Sequence, residues 1–182
     1  MNNPFHYPGL RILIVFFNEP YRNFHLRQIA KLADVSSSTA KRFLDFYSKN
    51  TLLVKSRRAN LVLFKANLEN HSFRYMKLSY FMMNMQPFIE SLKNAHPNSS
   101  IVLYGSCARA EDDPESDMDL LIVGRTTERV DVSNFEKSVG RKITCLIYTP
   151  QEWEEKAQKD TAFYERILVD GIVLHGNLPV VN

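Results

Sequence analysis

Two aspartates, Asp117 and Asp119, stand two residues apart shortly after a Gly105-Ser106 pair. Ile101 to Tyr104 is a short apolar run that stops at that pair, the pattern of a buried strand ending in a tight turn. Glycine lets backbone approach a ligand closely, and Ser106 adds a hydroxyl beside exposed N–H groups. Cys107 to Glu111 is predicted to open a helix, whose N-terminus favours an anion such as phosphate. The acidic, turn-like stretch 112–116 then leads into a second strand over 117–123. Residues i and i+2 of a strand share a face, so both carboxylates aim at one point. Neighbouring carboxylates repel each other unless a cation lies between them. Mg²⁺ takes one or two carboxylates and completes its shell with substrate phosphates. The ligand these residues point to is a magnesium-bound nucleoside triphosphate.

The pattern Gly105-Ser106, Ala108-Arg109, then Ser116-Asp117-Met118-Asp119-Leu120 resembles the DNA polymerase β-like nucleotidyltransferase superfamily. It is closest to the small prokaryotic minimal nucleotidyltransferases, with Ala110 standing where their signature has its second glycine. The likeness covers residues 98–148 and extends towards 176. It implies that Gly105 and Ser106 hold the triphosphate and that Asp117 and Asp119 hold Mg²⁺ as the catalytic pair. Arg109 supports phosphate or braces the loop through a salt bridge to Asp112 or Asp117. The implied reaction is transfer of a nucleoside monophosphate, AMP from ATP, to a hydroxyl of a protein or RNA.

Active members of that superfamily carry a third carboxylate on the strand corresponding to 141–148. The matching position here is Thr144, and that stretch contains no Asp or Glu. Thr144 and Cys145 are poor ligands for a hard cation. Asp131 is the nearest substitute, in a context that reads as a helix entry. Nucleotide binding is therefore better supported than turnover.

The elements that must position these groups belong to a chain of 182 residues, 45% hydrophobic, with a net charge of +3. That length holds one or two compact domains. No apolar run is long enough to span a membrane. Two cysteines, Cys107 and Cys145, are too few for a disulfide framework and fit reduced thiols in the cytoplasm. Charge is unevenly spread. Residues 1–95 hold 14 Lys and Arg against 5 Asp and Glu, a net +9, whereas residues 96–182 hold 9 against 15, a net −6. A basic first half fits a polyanionic partner.

Motifs in that half say which. A helix is predicted after Pro8-Gly9, running to Phe17. A second spans 24–34, with Leu26, Ile29, Ala30 and Ala33 on one face. Ser36 or Ser37 caps a third, from Ser38 to Lys49. Two short helices and a tight turn form a helix-turn-helix pattern, whose exposed face offers Ser37, Ser38, Lys41, Arg42 and Asp45. Strands at 52–56 and 61–66 follow, joined by a basic tip, Arg57 to Asn60. The whole resembles a winged helix-turn-helix domain of bacterial and archaeal regulators. That resemblance implies double-stranded DNA as partner, with Ser37 and Ser38 near base edges and Lys41, Arg42, Arg57 and Arg58 on phosphates.

The apolar stretch 71–95, interrupted by Pro87, reads as a linking helix that either packs against both domains or forms a homodimer interface. Beyond it, Gly124 to Thr127 is expected as a loop, Ser133 to Val139 as a helix and 141–148 as a strand. Helices at 150 onward and 161–170 and a last strand at 172–175 complete the chain. The expected architecture is a two-domain α/β (α+β) protein. A winged helix-turn-helix at 1–70 is linked through 71–97 to a polymerase β-like nucleotidyltransferase fold with a small mixed sheet at 98–182. Three functions fit: a DNA-binding transcription regulator carrying a nucleotide-binding domain, a working nucleotidyltransferase, or an antitoxin-type partner of a HEPN toxin.

Overall fold

A computed structural model describes residues 6–125 and 131–181. The first five residues of the N-terminal domain, and the part of the expected loop at Thr126 and Thr127, lie outside the described residues. The chain divides into two units, Met1–Lys77 and Leu78–Asn182.

The first unit starts with α1, Pro8–Asn18, with proline at its start where a missing N–H costs nothing. Ile12, Leu13, Phe16 and Phe17 form its buried face. A short strand β1, Phe24–His25, precedes α2, Leu26–Leu32. The predicted helix therefore starts two residues late. His25 is its cap: the Gln28 N–H donates to Nδ1 at 3.3 Å, while the His25 N–H donates to Gln28 Oε1 at 3.0 Å. Helix α3, Ser37–Lys49, is capped by Ser36, whose hydroxyl accepts from Thr39 N–H at 3.1 Å. Strands β2, Leu53–Arg58, and β3, Leu61–Ala66, complete an antiparallel sheet in the order β1-β3-β2.

The hairpin tip is smaller than predicted. Arg57 and Arg58 pair with Val62 and Leu61 inside the ladder, leaving Ala59 and Asn60 to turn. Ala59 adopts φ 52°, a left-handed twist that closes the turn in two residues. Aromatic packing binds the unit together. Phe16 meets the Phe24 ring edge-on at 5.6 Å, and Phe17 meets Phe73 at 5.2 Å. Truncating the fully buried Phe24 to alanine would cost about 3–5 kcal/mol. Arg11 locks α1 to the end of α2: Nε donates to Ala33 O at 2.7 Å, and Nη2 donates to both the carbonyl and the carboxylate of Asp34.

The division between the units falls within α4, His71–Ala95, which Asn70 caps by accepting from Phe73 N–H at 3.0 Å. The helix expected to link the domains thus contributes residues to both units. Phe73 belongs to the first unit's core, whereas Met85, Phe88, Ile89 and Leu92 belong to the second's. Pro87 does not split the helix. It lies, like Met83, on the exposed side, where water can satisfy the Met83 carbonyl that has lost its donor.

The second unit is a four-stranded mixed sheet in the order β6-β5-β4-β7. Strand β4, Ser100–Tyr104, is antiparallel to both β5, Met118–Val123, and β7, Ile172–His175; β6, Ile143–Tyr148, runs parallel to β5. Alternation along β5 sends Met118, Leu120 and Ile122 to one core and Leu121 and Val123 to the other. The first core packs against α4 and α6, Ser133–Val139, where Phe88 stacks on Phe135 at 4.3 Å. The second packs against α7, Pro150–Lys159, and α8, Thr161–Asp170, through Trp153, Phe163 and Ile167. Trp153 donates its indole N–H to Pro179 O at 2.7 Å, so its burial leaves no donor unmet. The helix expected over 107–111 is a single turn, α5, Gly105–Ala108, because Ala110 turns to φ 55°.

Candidate functional site

The chemistry-bearing residues gather where β4 ends and β5 begins. Asp119 lies in register opposite Tyr104, the last residue of β4. The chain then turns through Gly105 at φ 74°. A Cβ built on Gly105 would sit 2.5 Å from Asp119 Oδ2, so the carboxylate occupies the space a side chain would need. Glycine is required here both for the left-handed twist and for the close approach. Ser106 continues α5, and its carbonyl accepts from Glu111 N–H at 2.9 Å, closing the turn.

Ala110, at the position where the resembled signature has its second glycine, holds a left-handed φ with its methyl buried. That twist costs a side chain about 1–2 kcal/mol. Burial of one methyl offsets roughly 0.8 kcal/mol of it, and the stiffer unfolded chain offsets about 0.4–1 more. The terms nearly cancel, which is why alanine is tolerated.

Asp117 immediately precedes β5 and Asp119 is its second residue. The Asp119 carboxyl is held above the usual aspartate range, first by burial and then by the charge of Asp117, with Lys142 pulling the other way. Lys142 Nζ lies 3.4 Å from Asp117 Oδ2 on an exposed side chain. Repulsion within the pair is what a bound divalent cation relieves. The pair therefore fits one Mg²⁺ whose remaining ligands come from phosphate and water. Thr144 is the Cα partner of Asp119 on β6. Burial, and after it Glu136, pushes the neighbouring Cys145 thiol up to about 11, and a thiol is a poor ligand for a hard cation. Asp131 is an exposed residue that accepts from Ser133 N–H at 3.0 Å, at the entry to α6. Among the described residues no three acidic, His or Cys side chains form a metal-holding group.

A cleft of about 240 Å³ opens beside Asp119, lined by Tyr104, Gly105, Arg109, Phe163, Arg166 and Asp170. Arg109 is braced from two sides: Nε lies 2.8 Å from Glu111 Oε2 and Nη1 3.5 Å from Asp170 Oδ2. Neither partner is the one expected from sequence. Asp112 instead pairs with Arg141 at 2.8 Å. Arg141 also donates to Asp113 O at 3.0 Å and lies 3.2 Å from Cys107 Sγ, and Cys107 contacts Asp117 O at 3.4 Å. One guanidinium thus ties the acidic turn, α5 and the approach to Asp117 together. Tyr104 stays a phenol, its pKa raised first by burial and then by Asp119.

Tyr104, Lys142, Arg141, Arg166 and Asp170 were not identified from sequence. Arg166 and Asp170 reach the cleft because α8 packs on β4, an approach between segments some sixty positions apart that leaves no local signal. Arg141 and Lys142 could have been suspected as a cation pair directly before an apolar strand.

In the first unit, Ser37, Ser38, Lys41 and Arg42 are exposed along α3, and Arg57 and Arg58 are exposed at the end of β2. Lys55 ties β2 to α3 through Asp45 at 3.2 Å. Arg42 lies 5.0 Å above the Phe43 ring.

Residues 85–169 match the family described as the nucleotidyltransferase domain. The match starts within α4 and takes in Gly105, Asp117, Asp119, Thr144 and Arg166. That stretch of the second unit is thus similar to a nucleotidyltransferase domain. No curated protein and no solved structure matches the chain. Among the described residues no helix is long and apolar enough to cross a membrane.

Proposed function

We propose that the chain is a DNA-binding transcription regulator whose nucleotidyltransferase domain binds a magnesium-nucleoside triphosphate, ATP in the first instance. Asp117 and Asp119 hold the cation, and the backbone at Gly105 and Ser106 receives the phosphates. Bound Mg²⁺ supplies charge neutralisation at the phosphates. The single observation that carries binding over turnover is Thr144 opposite Asp119. A hydroxyl replaces the carboxylate that would complete a second cation site and accept the proton of an attacking hydroxyl. Loss of such a base costs on the order of 10²–10⁴-fold in rate.

The first unit supports the regulatory half of the reading. Its order of helices, with an antiparallel hairpin after α3, supports reading it as a winged helix-turn-helix. Ser37 and Ser38 are short polar groups at the start of α3, suited to base edges. Lys41, Arg42, Arg57 and Arg58 are exposed cations suited to phosphate, in a half of the chain carrying +9. Incubation with Mg²⁺ and α-phosphate-labelled ATP tests the assignment. Retained but untransferred nucleotide supports a sensor, and absence of retained nucleotide sinks it.

A second reading, AMP transfer to a protein or RNA hydroxyl, is favoured by one observation. Asp117 and Asp119 remain paired beside the glycine turn that accommodates them. Stable incorporation of label into an added acceptor in the same assay would select it.

A further inference from the structure

The cleft beside Asp119 holds two guanidinium groups with different commitments. Arg109 is engaged by Glu111 and Asp170. Arg166 lines the same cleft from the exposed side of α8. Its Nε donates to Ala162 O, one turn back, at 3.3 Å, and its guanidinium lies 6.0 Å from the Phe163 ring centre. The carboxylates that could satisfy it are taken: Asp170 by Arg109, and Asp160 by Lys156 at 2.7 Å. Among the described residues none forms an ion pair with it.

A planar guanidinium with unused donors, lining the same small cleft as the Asp119 carboxylate, is matched by a phosphate oxygen pair. Cation and phosphate chain then alternate in charge from Asp119 outward. The cleft volume of about 240 Å³ falls below the roughly 300–1,000 Å³ of pockets that enclose whole ligands. A space of that size suits the phosphate end of a nucleotide rather than the whole molecule.

Building on the nucleotide-binding reading, we propose that Arg166 clamps the outer phosphates, so that this domain selects its ligand by phosphate count rather than by base. The test is calorimetric titration of the full chain with the magnesium complexes of ATP, GTP, ADP and AMP. Wild type is expected to bind ATP and GTP alike and to lose affinity stepwise towards AMP. Arg166→Ala should weaken ATP binding roughly 10- to 100-fold, the range of a charge-assisted hydrogen bond, while leaving AMP unchanged. Arg166→Lys should recover part of that affinity, since it keeps the charge without the fork. Thermal melts matching wild type would confirm that both variants fold, as expected at an exposed helix position. ATP binding unchanged in Arg166→Ala would overturn the clamp while leaving the nucleotide site standing. Strong preference for one base would overturn selection by phosphate count. No binding of any nucleotide by folded wild type would overturn both this inference and the reading beneath it.

Discussion

Asp119 and Thr144 are Cα partners across the parallel pair β5–β6. The ladder fixes which residue of β6 lies beside the second aspartate, and that residue ends in a hydroxyl. Thr144→Asp would place a third carboxylate there without moving the backbone. It is expected to raise magnesium-dependent pyrophosphate release from ATP by on the order of 10²-fold or more, the scale of a positioned base. A rate no higher than wild type would mean that more than one catalytic group is missing.

Asp119 carries a pKa raised by burial and by Asp117. For a group raised on folding, its contribution to stability is fully present below the unfolded pKa. That contribution is lost as pH rises through the folded value. Above that window the metal-free protein bears a half-buried, repelled charge. Asp119→Asn should therefore melt at a higher temperature than wild type near neutral pH, with the difference vanishing in acid. Equal melting temperatures at neutral pH would contradict the assigned repulsion.

Arg141 and Asp112 form a largely buried pair, with side chains 18% and 6% exposed. Removing one partner strips the other buried charge of its ion pair, at a cost of about 3–5 kcal/mol. Arg141→Ala should lose stability on that scale in urea unfolding. The double variant with Asp112→Ala should lose less than the two single losses combined. A loss below about 1 kcal/mol would place the pair in the range of exposed salt bridges and remove its bracing role.

Arg57 and Arg58 stand at the end of β2, exposed, beside a two-residue turn. Replacing both with alanine should weaken binding to duplex DNA. It should also lower the slope of log affinity against log salt by roughly one for each phosphate no longer neutralised. Fluorescence anisotropy across a salt series reads this directly. An unchanged slope would remove the hairpin from the interface.

Local patterns carried much of the architecture into the sequence. Apolar spacing marked the helices, and those expected at 133–139, 150 onward and 161–170 are α6, α7 and α8. The Asp117–Asp119 spacing and the glycine turn were legible because one strand and one turn contain them. Three features escaped for physical reasons. His25 is an uncommon cap, so β1 was absorbed into α2. The division inside α4 is invisible to periodicity, because both halves bury apolar residues. The far wall of the cleft, Arg166 and Asp170, depends on strand order rather than on neighbours in sequence. One partner of Arg109 was missed for the same reason: Asp170 is close only after α8 folds onto β4.

The central claim is that the carboxylate pair holds a magnesium-nucleotide. Titrating Mg²⁺-ATP calorimetrically into wild type and into Asp117→Asn tests it most directly. Saturable heat with wild type and none with the variant, both folded by circular dichroism, is the expected result. Absence of binding by folded wild type, or equal binding by both proteins, would contradict it.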